Sequence, residues 1–297
     1  MPNKTEIAEW FKGLQDRICS ALEQEDGKAT FEEDLWQHHS GGGGRTRLIQ
    51  NGNVFEKGGV NFSQVQGELS PMAQKALGIE GAGFFATGVS IVIHPESPLV
   101  PIIHMNVRYF ELDSGRWWFG GGIDLTPIYV VPEDARFFHA QMKGACDDFD
   151  AAYYPEFKAW ADRYFYIKHR EETRGIGGIF FDRLEETDSH NKQQRWDFVK
   201  RVGDTFAPTY TNIVSRHKQE SHTPEQKEWQ MLRRGRYVEF NLVLDRGTKF
   251  GLETGGRTES ILMSLPKVAG WAYDHQPAEG SAERDTLNLL KQGVDWV

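Results

Sequence analysis

His104, Asn106 and Arg108 fall on alternate residues of the run from Val100 to Pro127. In an extended chain alternate side chains share one face, so Ile103, Met105, Val107 and Tyr109 share the other. An imidazole, an amide and a guanidinium in register can hydrogen-bond an anionic, multiply polar ligand. The plain alternative is a solvated strand face, which more commonly carries Lys, Glu and Thr. Other groups invite chemistry. Asp124 follows Gly120-Gly121-Gly122 and precedes Thr126-Pro127, a pattern that reads as a turn, a helix cap for the chain near Pro132, or an Asx turn. Asp245-Arg246 closes an alternating run from Glu239 and reads as an ion pair at a strand end. Gly255-Gly256-Arg257 offers amides and a guanidinium that could hold a carboxylate. His94, His104, His139 and His169 could bind a divalent metal if they converged, although they lack a compact spacing such as H-E-x-x-H; ordinary hydrogen bonding competes for His139 and His169.

Two glycine runs mimic nucleotide motifs. Gly41-Gly42-Gly43-Gly44-Arg45-Thr46 lacks the Lys-Ser/Thr ending of a phosphate loop and reads instead as a flexible loop that closes on a ligand. Gly81-Ala82-Gly83-Phe84-Phe85-Ala86 matches a dinucleotide fingerprint in letters but lacks its strand-to-helix setting.

These groups need elements to position them. Ile7, Phe11, Leu14, Ile18 and Leu22 stripe an opening helix capped by Asn3 and Glu6. Short antiparallel strands are expected between Arg45 and Phe62. Further strands are expected over Phe84–His94, Ile102–Glu111, Arg116–Phe119, Gly178–Leu184 and Tyr237–Leu244. Helices are expected from Pro132 to about Ala152, from Pro155 to about His169 and from about Asn191 to His217 with a bend at Pro208. A fourth starts on the Thr223-Pro224-Glu225-Gln226 capping box and stops at Gly235, delivering the chain into the Tyr237 strand. Strands fill the first half and long helices the second without βαβ alternation. The expectation is therefore one α+β domain over residues 1–297, an antiparallel sheet flanked by α-helices.

The 297 residues are 39% hydrophobic and 12% aromatic, enough for a substantial core, and no apolar run is long enough to span a bilayer. The net charge of -9 argues against a nucleic-acid surface but leaves room for a small anion at a local basic cluster such as Arg233-Arg234-Gly235-Arg236 or Lys168-His169-Arg170. Cys19 and Cys146 suit neither a disulfide framework nor a thiolate zinc site. The start, Met1 to Glu6, has neither a signal-peptide nor a transit-peptide layout, so a cytoplasmic location is expected.

Taken together, Gly41–Arg45, Phe55–Ser63, Trp117–Pro127, Tyr166–Arg170, Arg174–Asp182, Arg233–Asn241, Asp245–Thr248 and Gly255–Ser264 resemble the oxygen-dependent coproporphyrinogen III oxidases of haem biosynthesis. The resemblance implies oxidative decarboxylation of the ring A and B propionates of coproporphyrinogen III to vinyl groups, giving protoporphyrinogen IX with consumption of O₂. It implies a large flat antiparallel sheet between helices, no organic cofactor, and a homodimer using about residues 237–272. Bacterial members add a divalent metal cation, whose ligands here would be His94, His104, His139 and His169, and a proton donor at His104. Ser90, Asn106, Val107, Arg108, Gly255, Gly256 and Arg257 would hold substrate. Pyrrole N–H groups require an ionised acceptor, for which Asp245 is the first candidate and Asp124 the second, with the adjoining Arg246 on the substrate side. A tetrapyrrole carrier without catalysis and a metal-dependent oxygenase for another aromatic substrate are rival classes, which O₂ uptake together with vinyl product would separate.

Overall fold

The computed structural model describes residues 1–78 and 83–297. In chain order the elements are α1 (Lys4–Asp26), β1 (Glu32–Gln37), β2 (Gly42–Gln50), β3 (Phe55–Glu68), α2 (Pro71–Leu77), β4 (Gly83–Pro95), β5 (Ile102–Leu112) and β6 (Trp117–Thr126). There follow α3 (Pro132–Asp147), α4 (Tyr153–Tyr164), the short pair β7 (Tyr166–Ile167) and β8 (Glu172–Thr173), β9 (Gly177–Leu184), α5 (Lys192–His217) and α6 (Pro224–Glu239). A π-helical turn over Phe240–Leu244 leads to α7 (Arg246–Glu253), α8 (Thr258–Leu262) and α9 (Ala282–Leu289).

Seven strands form an antiparallel sheet in the order β1-β2-β3-β4-β5-β6-β9, so neighbours in sequence are neighbours in space up to the last step. The α+β expectation holds. One sheet face is apolar: Val89, Ile91, Ile93, Ile103, Met105, Val107, Phe119, Ile123 and Ile179 are buried under the stripes of α1 and α5 in one core. α1 is fixed at its start by the expected Asn3–Glu6 capping box, and α5 by Asn191 with Gln194.

The other face is polar and poor in Cβ atoms. Register rows run across it: Thr46, Asn61, Ser90, Asn106, Gly122 and Phe180 pair strand by strand, beside the row Gly44, Ser63, Gly88, Arg108 and Gly120. The chain from α6 to α8 covers one end of this face. There Met263 occupies the space a side chain at Gly59 would need, Asn61 donates to the Ser260 carbonyl and Lys57 to the Leu265 carbonyl.

Several expectations change. Gly41 alone belongs to the turn before β2; Gly42 to Gly44 is no loop, because β2 begins at Gly42 and pairs on both sides, and a Cβ at Gly43 or Gly44 would strike Trp36. Gly81 and Ala82 lie outside the described residues, while Gly83–Ala86 opens β4. The strand expected at Tyr237–Leu244 is helical. Its alternating apolar residues suit a strand, but α6 runs to Glu239 and continues as the π turn, whose closing bond is Asp245 N–H to the Phe240 carbonyl. Gly235 is accordingly not a stop. It lies inside α6 because the Gly270 carbonyl sits 2.4 Å from where its Cβ would be. α4 ends at Tyr164, so His169 falls in the turn between β7 and β8 rather than on a helix.

Candidate active site

β5 presents its residues as the alternation requires: His104, Asn106 and Arg108 are partly exposed on the polar face, and Ile103, Met105 and Val107 are sealed in the core. Val107, grouped with Asn106 and Arg108 by resemblance, therefore turns its side chain away from any ligand on that face. Ser90 stands between Asn61 and Asn106 in the central row and is partly exposed. Arg108 donates to Asn106 Oδ1 at 2.8 Å and to Asp182 Oδ1 at 2.9 Å. Gly120, at a register shift between β6 and β9, makes room for that pair: a Cβ there would lie 2.5 Å from Asp182 Oδ1 and 2.8 Å from Arg108 Nη2. Gly88 and Gly122 likewise have no space for a side chain against neighbouring backbone.

Asp124 is neither a turn residue nor a helix cap. It is buried in mid-strand on β6, where Oδ1 accepts from His104 Nδ1 at 2.7 Å and both oxygens accept from Arg174 Nη2 at 2.8 Å. Burial alone would push its carboxyl up. The Arg174 charge and the bonds from His104 and Arg174 overcome that and hold it below the ordinary carboxylate range. Asp124 thus faces His104 and Arg174 rather than a ligand, and it is set apart from the open face by the imidazole.

Asp245 is placed by the π turn. Its Oδ2 caps α7 by accepting the Thr248 N–H, and its Oδ1 accepts from the Tyr164 hydroxyl at 2.7 Å, so it does not pair with Arg246. Arg246 is exposed at the first position of α7. Tyr164 stacks on Phe180 with ring centres 4.2 Å apart, and Phe180 rises from the central row beside Gly122. Asp245, partly exposed, therefore stands at the Phe180 edge of the same face as Arg108 and His104.

The Gly255-Gly256-Arg257 segment is committed elsewhere. Gly255 makes a left-handed turn, the Gly256 N–H is used by the Gly251 carbonyl, and Arg257 pairs with Asp34 and Ser260 over Trp36. It borders the far end of the face, where Thr46 lies three strand steps, about 14 Å, from Asn106. The Arg233–Arg236 cluster is likewise internal: Arg234 is fully buried on Glu56 and the Pro95 carbonyl, and Arg233 pairs with Glu172. It offers no anion surface.

The four histidines do not form a metal site. His94 Nε2 meets the Ser264 carbonyl; burial, with help from Arg234, Lys57 and Arg174, pulls its pKa down to about 3. His139 is held between the Tyr154 hydroxyl and the Ile176 carbonyl, and burial lowers it to about 4. His104 is bound to Asp124, and His169 sits at the surface on Glu239. Each imidazole serves a different protein partner, and no group of three or more His, Cys, Asp or Glu side chains placed to hold a metal occurs among the described residues. The donor set does not fit the implied cation.

Sequence reasoning gave no role to Arg174, Asp182, Tyr164, Phe180 or Asn241. A period-2 reading of Gly178–Leu184 would have put Phe180 and Asp182 on one face. Nothing local marks Tyr164, or the Arg174 pairing with a residue fifty positions earlier.

Residues 6–296 match the family model described as coproporphyrinogen III oxidase. The chain is 48% identical over 301 residues to coproporphyrinogen-III oxidase 1, chloroplastic, of Arabidopsis thaliana, covering 96% of this chain and 77% of that protein. It is 49% identical over 298 residues to the oxygen-dependent coproporphyrinogen-III oxidase, chloroplastic, of Glycine max, covering 95% and 77%. To the protein of the same name in Nicotiana tabacum it is 48% identical over 299 residues, covering 95% and 75%. With the sheet, its polar face and nearly every residue inside one match, the chain belongs to the coproporphyrinogen III oxidase family.

Proposed function

We propose that this chain oxidatively decarboxylates the ring A and B propionates of coproporphyrinogen III to vinyl groups with O₂, yielding protoporphyrinogen IX. The observation that carries the reading is the Cβ-poor polar face bounded by Arg108, His104 and Asp245. Gly88 and Gly122 add no side chain of their own between a broad macrocycle and the face, and Gly120 leaves room beside it for Arg108 and Asp182. For each propionate, one carboxylate, one O₂ and one proton become a vinyl group, CO₂ and H₂O₂. The C–C bond to the carboxylate breaks, its electron pair forms the vinyl π bond, and a hydride equivalent leaves to O₂.

The porphyrinogen is electron-rich enough to react with O₂ itself, so the protein's task is to bind, orient and move protons. Arg108 holds a propionate by exchanging its Asp182 partner for the substrate carboxylate, with Asn106 keeping the fork in plane. Asp245 accepts the pyrrole N–H proton. His104, its Nδ1–H held by Asp124, takes up a proton on Nε2 as the imidazolium and gives it to the HO₂⁻ formed from O₂, the one proton consumed per propionate, while Asp245 returns its proton to the pyrrole nitrogen. Ser90 and Arg246 contact substrate from the floor and the rim. The reaction is proposed without an organic cofactor, and no step is routed through a metal, because the histidines are dispersed.

We also propose a homodimer through about residues 237–272. The segment leaves Leu242, Val243, Phe250, Leu252, Val268 and Trp271 exposed, an apolar surface that association would cover. No helix among the described residues is long and apolar enough to cross a membrane. Mixing the protein with coproporphyrinogen III while following O₂ uptake and vinyl product tests the reading. Binding without O₂ consumption would make the chain a carrier and overturn it.

A further inference from the structure

Arg174 is a buried cation beside the site. Its guanidinium carbon lies 4.3, 4.6 and 4.7 Å from the ring centres of Phe165, Tyr237 and Phe240. Nη2 spans both Asp124 oxygens and Nη1 donates to Asn241 Oδ1 at 2.8 Å, while Nε has no partner. Its own N–H donates to the Phe165 carbonyl, and the Phe165 ring meets His104 edge-on at 6.1 Å. A buried ion pair of this kind adds little stability over well-packed apolar replacements, so stability alone is a weak account of it. What it does fix is the Asp124 carboxylate. With both oxygens pinned, Asp124 presents an acceptor to His104 Nδ1, which must then carry the ring proton. His104 Nε2 is left without a protein partner among the described residues, on an imidazole whose side chain is 21% exposed.

We propose that Arg174 is a positioning residue of the reaction: through Asp124 it sets the tautomer and orientation of His104, so that Nε2 is the nitrogen that faces the cleft, takes up a proton and delivers it there. Asn241, carried by the π turn, holds the other arm of the guanidinium and ties this arrangement to the segment that ends in Asp245. The inference deepens the proposed function and rests on its assignment of a proton step to His104.

The test uses the full-length protein labelled with ¹⁵N-histidine, His104 being assigned by its loss in His104→Gln. The unaltered protein should show neutral His104 protonated on Nδ1. In Arg174→Met the signal should move toward the Nε2-protonated form, with kcat for coproporphyrinogen III falling about 10- to 100-fold and KM nearly unchanged. Arg174→Lys, which keeps the charge without the fork, should fall between. A folded Arg174→Met with the His104 tautomer unchanged overturns the proposal. A shifted tautomer with unchanged kcat upholds the positioning by Arg174 but removes His104 from the proton step. If Arg174→Met does not fold, Arg174→Lys is read alone: an unshifted tautomer with unchanged kcat in that variant overturns the proposal equally.

Discussion

Adjacent glycines on β6 should fail in opposite ways when given a methyl group. In Gly120→Ala the new Cβ would sit 2.5 Å from Asp182 Oδ1 and 2.8 Å from Arg108 Nη2, both at the ends of flexible, partly exposed side chains. Ordinary contact needs about 3.5 Å, so these ends must retreat by about 1 Å, enough to break a 2.9 Å hydrogen bond. The chain itself need not move. Arg108 must leave Asp182 in any case to take a propionate, so the loss comes from displacement of the guanidinium itself: forfeiting its charge-assisted bond to the substrate carboxylate costs about 1.5–3 kcal/mol, or about 10- to 100-fold in kcat/KM, chiefly through KM. In Gly121→Ala the Cβ would instead meet the Asn106 carbonyl at 2.6 Å and the Phe181 ring at 2.9 Å, on the core face. Backbone and a packed ring cannot retreat so cheaply. The cost is about 1–3 kcal/mol, or about 2–10 °C in Tm, with less effect on KM. O₂ uptake over a series of coproporphyrinogen III concentrations, beside thermal melts by circular dichroism, reads both quantities. Equal losses of Tm in the two variants, or an unchanged kcat/KM in Gly120→Ala, would refute both the placement of Arg108 as a substrate clamp and the reason given for Gly120.

Asp245→Ala should cut turnover by about 10²-fold or more as general-base work is lost, while Tyr164→Phe should cost several-fold, about one neutral hydrogen bond; normal turnover in folded Asp245→Ala would remove its role. Glu239 has its pKa brought down to about 2: burial pushes it up, but bonds from Arg170, His169 and Trp271 prevail. A depressed carboxyl stabilises the fold above its ordinary value and loses that contribution as pH falls through its folded value. Urea midpoints should therefore fall between about pH 4.5 and about pH 2, and Glu239→Gln should flatten that part of the profile. Gly235→Ala should destabilise by about 1–3 kcal/mol, read as a lower melting temperature, because the Gly270 carbonyl blocks its Cβ. Exhaustive chelation, with residual metal checked by elemental analysis, should leave turnover intact.

The β5 face was legible because period-2 alternation is a local property, and Ile103, Met105 and Val107 mark the core side plainly. Capping boxes at Asn3 and Thr223 were legible for the same reason. Gly235 was misread because glycine both ends helices and permits close approach, and only the distant Gly270 decides between the two. The Gly120–Gly122 run suggested a turn, yet its residues are small because β5, β9 and the Arg108–Asp182 pair crowd them. Glu239–Leu244 carries strand-forming residues in a helical setting, where packing outweighs propensity. The dispersal of the four histidines and the Asp124–Arg174 pairing are long-range facts, and resemblance supplied no geometry for them.

The π turn at Phe240–Leu244 makes the end of α6 a phase shifter. One residue of an α-helix is about 100° of rotation, so the extra residue in this turn decides which way everything after it points. Removing a single residue there would let α6 continue in ordinary register. Its start would be untouched, while Asp245 would swing by about 100° away from Tyr164, and loss of Phe240 in particular would carry Asn241 away from Arg174 as well. Length variation in this segment is thus a switch between an assembled site and a dismantled one, and chains that keep the sheet but lose that one residue should keep the fold without the chemistry.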